Sequence, residues 1–328
     1  MKYAIISLIT FAASALCSSA QTPQQFFQMP VVPDSIVLLH DRTDYLLAHY
    51  WDFCDIKKAL SSRDKFRGAV VDFFSLMPYG TVGGVTDAMQ SFMKKVSTSK
   101  EPVLLVSDIA EATFYSDTAA VPSDQLYLIF LDQFLANKKV DKTTKLRYEH
   151  IYRILDASQP GKIAPVTKYT DILGQEHTIV PDTTKAGAIV FFNDPDCSEC
   201  SMARLRIDTD VLSRMVIDRG IVDFYCIYAG EPDDQWRQSV TSYPENWKVG
   251  ASENADQQWD LRFSPVFYVL NRDGSILLST SNAGEIIDIL GRLAQVSGNA
   301  PSAFTRRHSQ PAADPAQQPS EPVSDPQP

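Results

Sequence analysis

The sequence predicts two folded parts of different class: an all-α helical domain, then an α/β domain whose mixed sheet is flanked by helices. Three observations carry this reading. At 328 residues the chain is about two typical domains long. From about residue 34 to 156 apolar residues recur at helical spacing. Beyond about residue 165, short apolar runs alternate with helical stretches. With 44% hydrophobic and 21% charged residues, a wholly disordered or collagen-like chain is excluded.

The helical part is read from its apolar faces. Phe66, Val70, Phe73, Phe74 and Met77 line one side of a helix. Val82, Val85, Met89, Phe92, Met93 and Val96 line another, and Pro122-Ser123 opens a third carrying Leu126, Ile129, Phe130 and Phe134. Leu146, Ile151, Ile154 and Leu155 mark a further one. Pro78-Tyr79-Gly80 and Glu101-Pro102 punctuate the series, for five or six helices in all. The aromatic face of Tyr45, Tyr50, Trp51 and Phe53 reads as core, and His49 beside it as a packed or solvated histidine.

Ser158-Gln159-Pro160-Gly161 reads as the linker that closes the helical domain at residue 160. A hairpin over Thr167–Ile179 follows, turning near Gly174. Ala188–Asn193 is long enough for a buried strand and too short for an independent helix. A helix is expected from Cys197 to about Ile217, stopped by Gly220, then a strand over Ile221–Ala229 and a short helix around Trp236. Val266–Leu270 and Ser275–Ser279 pair through Asp273-Gly274, and Glu285–Ala294 is the last helix. The α/β domain thus spans 165–298. The segment 299–328, where seven of the last 28 residues are proline, reads as a disordered tail.

The beginning reads as a leader. Lys2 precedes the short apolar stretch Ala4–Leu16, and Ser18-Ser19-Ala20 supplies small residues at a cleavage site, so residues 1–20 are expected to be a signal peptide. A lipoprotein signal acylated at Cys17 is the rival, disfavoured by the bulky Leu16 before it. No later segment reaches spanning length, and the expected location is periplasmic or otherwise extracytoplasmic. Net charge is −10, with 30 Lys plus Arg against 40 Asp plus Glu and no basic block, which argues against nucleic acid as a partner. Nothing in the sequence fixes an oligomeric state.

Export gives the cysteines an oxidising setting. Besides Cys17 there are Cys54, Cys197, Cys200 and Cys226. Cys54 and Cys226 read as packed thiols, and a bridge between them has no support in the sequence. Cys197-Ser198-Glu199-Cys200 differs, because it follows a buried strand and the loop Asp194-Pro195-Asp196 and opens a helix. A helix amino end offers unpaired N–H groups and partial positive charge, which favour a thiolate at the first cysteine. The second, one turn on, is within reach to resolve a mixed disulfide. A redox pair is the leading reading and a permanent structural disulfide the alternative. Metal is disfavoured, since none of His40, His49, His150, His177 and His308 forms a second ligand pair, and no cofactor-binding motif is present.

With these residues in place, the stretch Ala188–Cys200 together with Phe263–Gly274 resembles the thioredoxin fold, most closely the extracytoplasmic TlpA/ResA-like thiol–disulfide oxidoreductases. The resemblance covers about residues 165–298. It implies that Pro265 is a cis proline beside the cysteines and that Ser264 and Pro265 contact an extended substrate. It also implies protein disulfides as substrates and a thiol electron donor. The helical region resembles an uncharacterised domain found ahead of such modules. The family's two proton-accepting carboxylates fall on Phe191 and Ala203 here, which leaves Glu199, Asp194 and Asp196 as candidates for proton handling. These are negative charges that also oppose a thiolate. A peroxide-reducing branch is excluded by Val190 and Asp194 at its activating positions. A thiol–disulfide oxidoreductase, more reductase than oxidant, is therefore expected. The competing reading is a binding or assembly protein in which this module is a scaffold and the helical domain holds a partner.

Overall fold

The computed structural model describes residues 26–297. The expected leader, Cys17 within it, and the expected tail lie outside the described residues. The chain divides into two compact units between Thr144 and Lys145.

The first unit is helical: α1 (Leu39–His49), α2 (Ile56–Ala59), α3 (Arg63–Leu76), α4 (Val82–Val96), α5 (Lys100–Ala110) and α6 (Asp124–Ala136), with a π-helical turn over Glu111–Tyr115. α7 (Lys142–Ala157) carries the division between the units. Thr81 and Ser123 start α4 and α6 by accepting the amide hydrogens of Gly84 and Leu126, as N-cap side chains do. The core is aromatic: Trp51 stacks on Phe92 at 4.7 Å and packs edge-on against Phe73 at 5.5 Å. Tyr50 belongs to the same cluster and donates its hydroxyl to Ala69 O at 3.0 Å, while burial pushes its ionisation up. Tyr45 is half-buried and Phe53 exposed, so only part of that expected face is core.

Three helical expectations are corrected. Glu101-Pro102 does not interrupt the helices, since Pro102 lies in the first turn of α5, where its missing N–H costs no intrahelical bond. Val82 and Leu146, assigned to buried faces, are exposed; each lies in the first turns of its helix, before the apolar face meets the core. α1, whose apolar period is short, was legible only as an aromatic cluster.

The second unit is built on seven strands: β1 (Thr167–Thr170), β2 (Glu176–Ile179), β3 (Gly187–Asn193), β4 (Asp223–Tyr228), β5 (Lys248–Ala251), β6 (Val266–Asn271) and β7 (Ile276–Thr280). Their order is β2-β1-β5-β4-β3-β6-β7, with β3, β4 and β5 parallel and the remaining pairs antiparallel, a mixed sheet. The hairpin turn at Gly174 has φ +81°, the left-handed region that glycine enters without penalty. Every residue of β3 is buried, so both faces of the central strand are covered. On one face Ile189, Phe191, Phe224 and Phe267 pack under α8 (Ser198–Thr209), α9 (Val211–Asp218) and α11 (Ala283–Val296). On the other, Val190, Phe192, Ile227 and Tyr268 pack around Trp259. Gly187 begins β3 where a Cβ would lie 2.3 Å from Leu270 O of β6, so no larger residue fits that pairing.

The helix expected over Cys197–Ile217 is two helices. Asp210 leaves helical geometry at ψ 121° and accepts the Ser213 amide hydrogen at 2.8 Å, capping α9. The short helix expected around Trp236 is α10 (Asp234–Ser239). The linker Ser158–Gly161 is tied into the second unit, with Gly161 N donating to Ile276 O at 2.7 Å and Ser158 accepting from Asp260 N at 3.3 Å. No helix among the described residues is long and apolar enough to cross a membrane.

Candidate active site

The loop after β3 delivers the first cysteine to a helix start. Asp194 accepts the Asp196 amide hydrogen through its carboxylate at 2.9 Å and the Cys197 amide hydrogen through its carbonyl at 3.1 Å, closing the turn around Pro195. Cys197 is then the N-cap of α8, in extended geometry, and its Sγ accepts the Cys200 amide hydrogen at 3.0 Å. Among the described residues this is the one direct N–H contact that supports negative charge on Cys197. Cys197 and Cys200 are paired as a disulfide with Cα atoms 5.2 Å apart. Cys197 is half-buried and Cys200 is 2% exposed, which gives one accessible and one protected sulfur.

The other half of the site comes from the loop before β6. Ser264–Pro265 is a cis peptide. Ser264 O lies 3.7 Å from Cys197 Sγ, and Ser264 Oγ lies 3.1 Å from Cys200 Sγ. This loop, expected beside the cysteines, lies against both sulfurs. The contact of the serine hydroxyl with the second sulfur was not legible, because the two residues are 64 apart in sequence. The only signal available was a hydroxyl residue directly before the proline.

Beneath the pair the core is apolar. Phe191 stacks on Phe267 at 4.5 Å and is fully buried, and Ala203 is buried in the same cluster as Cys200. The two carboxylate positions of the resembled family are thus filled by apolar groups. Glu199 is exposed, and its carboxylate accepts from Ser198 Oγ at 2.8 Å; that bond holds it below the usual carboxylate range. Asp194 is engaged in the loop turn, and Asp196 is exposed beside it. Cys226 is fully buried, accepts from Asn193 Nδ2 at 3.0 Å, and is pushed up by burial, so it stays a protonated packing group. Cys54 is a free, half-buried thiol, also pushed up by burial. No cluster of His, Cys, Asp and Glu among the described residues could hold a metal ion.

A groove of about 470 Å³ runs beside this site between α8 and α11, with Met202, Arg206, Phe263 and Pro265 among its walls.

A thioredoxin-like protein from Bacteroides caccae superposes with a TM-score of 0.68 over 81% of this chain and 98% of its own, at 20% identity. The fold is thioredoxin-like. A thiol:disulfide interchange protein from Bacteroides sp. aligns with 46% of the chain and 99% of its own length at 14% identity, with a TM-score of 0.35. Residues 10–158 match a family described as a domain of unknown function, DUF5106, so an uncharacterised domain lies ahead of the thioredoxin-like unit. A comparison with curated proteins finds no match.

Proposed function

We propose that the thioredoxin-like unit is a thiol–disulfide oxidoreductase that works outside the cytoplasm and reduces protein disulfides. The observation that carries this is the asymmetry of the pair: an accessible sulfur at a helix N-cap, a buried one a turn later, and the Ser264–Pro265 loop against both. In the reduced protein the Cys197 thiolate attacks one sulfur of a substrate disulfide. A Cys197–substrate disulfide forms, and the other substrate sulfur leaves as a thiolate that takes a proton from solvent. Cys200, as thiolate, then attacks Cys197 Sγ, closing the protein disulfide and releasing the second substrate thiol. Two electrons pass from the protein dithiol to the substrate, and an external thiol donor restores the dithiol.

The exposed backbone of Ser264 is placed to pair with an extended substrate segment, as in strand addition. Its hydroxyl is the group that stabilises negative charge on Cys200, since Phe191 and Ala203 fill the two positions where the resembled family holds a carboxylate. Ser264→Ala should therefore slow the resolving step by about ten-fold, the effect of losing one hydrogen bond to a charged sulfur. Rapid-quench trapping of the mixed disulfide reads this step directly, and an unchanged lifetime would remove the role given to the hydroxyl. Asp194, Asp196 and Glu199 gather negative charge around Cys197 and oppose its thiolate, which favours the disulfide form and hence a reductase over an oxidant.

Exported location follows from the leader read at residues 1–20, with Cys17 as the less favoured anchor. The test of the activity is insulin reduction with dithiothreitol. Wild type should accelerate precipitation of the insulin B chain and Cys197→Ser should not. Equal rates for the two would leave the binding or assembly reading, with the helical domain as the working surface.

A further inference from the structure

Beside the sulfurs, the groove between α8 and α11 has a charge pattern that the exchange chemistry itself does not use. Of the residues lining it, only Glu199 and Arg206 are charged. They are seven residues apart on α8, about 10 Å along its axis, with Glu199 at the sulfur end and Arg206 at the far end. Glu199 is occupied by the Ser198 hydroxyl. Arg206 is exposed, and among the described residues no carboxylate is paired with it. Arg214 pairs with Asp218, Arg237 with Asp234, and Arg204 lies over the Tyr243 ring at 4.6 Å, so of the arginines without an ion pair only Arg206 lines the groove beside the sulfurs.

The Arg206 guanidinium reaches the amino end of α11, since a Cβ on Gly284 would lie 3.6 Å from its Nη2. The first turn of α11 carries Glu285, which is exposed and forms no ion pair with Arg206, so the guanidinium stays open to a partner from outside. The wall between Arg206 and the sulfurs is apolar. Met202 is 58% exposed on α8, and half-buried Phe263 stands directly before Ser264. A chain that enters over Ser264 therefore passes apolar surface and then meets unpaired positive charge.

Resting on the proposed exchange reaction, we infer that this groove selects its substrates: Arg206 takes an acidic side chain within a few residues of the cysteine under attack, and Met202 and Phe263 take an apolar one between. Cys197, the N-cap of α8, precedes Arg206 by nine residues, about 13 Å along the axis, which an extended chain rising about 3.3 Å per residue spans in about four residues. The substrate class is a polypeptide disulfide with an acidic flank.

The test uses the full chain, reduced and freed of reductant. It is mixed with synthetic peptides that carry one intramolecular disulfide and differ only in a Glu, Gln or Lys placed about three to five residues from the attacked cysteine. The measured quantity is the second-order rate of Cys197-dependent exchange. An exposed charge pair is worth a few-fold in affinity, so the Glu peptide should react about five-fold faster than the Lys peptide at low salt, and the difference should shrink at 0.5 M salt. Arg206→Gln should abolish the preference, and Arg206→Lys should keep most of it. Equal rates for the three wild-type reactions, or an undiminished preference in Arg206→Gln, overturn this inference alone. If no peptide exchanges in a Cys197-dependent manner, the inference falls together with the exchange reaction itself.

Discussion

Cys200→Ser should turn the protein from a catalyst into a trap. The variant keeps the attacking sulfur at the helix N-cap but loses the only group placed to displace the substrate from it. In the wild type that displacement is intramolecular, one helical turn away with Cα atoms 5.2 Å apart. Positioned groups react far faster than the same groups free in solution, so the mixed disulfide should outlive the wild-type intermediate by about a hundred-fold or more. Proteins of the source cell, captured on Cys200→Ser and released by dithiothreitol, should be seen on non-reducing gels as Cys197-linked adducts. The double variant Cys197→Ser with Cys200→Ser should capture none. Because Cys200 is 2% exposed, Cys197→Ser alone should also yield no adducts; adducts there in place of Cys200→Ser would reverse the roles of the two sulfurs.

Much of this site was legible from residues 188–200 and 263–274. The run Ala188–Asn193 is too short for a free helix, and Asp-Pro-Asp after it must turn, so Cys197 had to open the next element. The sheet's hairpins were likewise marked by Gly174 and Gly274 at their turns. What escaped the sequence depended on competition between local and distant partners. Asp210 reads as one more polar residue on a helix surface, yet its carboxylate captures the Ser213 amide and splits the helix in two. β5 is four residues long and contains Gly250, with no alternation to mark it. It is a strand because β4 and β1 lie on either side of it. Glu199, a candidate for proton handling on proximity alone, is turned to its neighbour Ser198, while the hydroxyl nearest Cys200 comes from another loop.

At the opposite end of the same strands, stability rests on a buried carboxylate. Asp223 begins β4 and pairs in register with Ala188, whereas the cysteines follow the other end of β3. It is 2% exposed, and Oδ1 accepts from Lys185 Nζ at 2.6 Å and Lys248 Nζ at 2.8 Å. Burial pushes its ionisation up, but the two ammonium groups outweigh burial and hold it below the usual carboxylate range. Lys248 also donates to the Tyr225 hydroxyl at 3.2 Å, and Asp182 N approaches the second carboxylate oxygen at 3.4 Å.

Asp223→Asn removes the charge and leaves two ammonium groups facing a neutral amide. Breaking a buried pair costs about 3–5 kcal/mol; with both lysines partly exposed and able to rehydrate, the lower end is expected, about 3 kcal/mol at pH 7. The pH dependence has a definite sign. A carboxylate whose folded value is depressed contributes stability above its unfolded value of about 3.9, and loses it as pH falls through that value toward the folded one. Wild type should therefore weaken below about pH 4, and Asp223→Asn, already lacking this carboxylate, should lose less over the same interval. Trp236, Trp247 and Trp259 lie buried in this unit and Trp51 in the helical one, so urea unfolding is followed by tryptophan fluorescence with Trp51→Phe as the common background. A midpoint for Asp223→Asn equal to that of wild type at pH 7 would show that the two lysines do not depend on this acid. Because β3 and β4 separate Asp223 from the cysteines by about 20 Å, the exchange rate of the folded variant should match wild type.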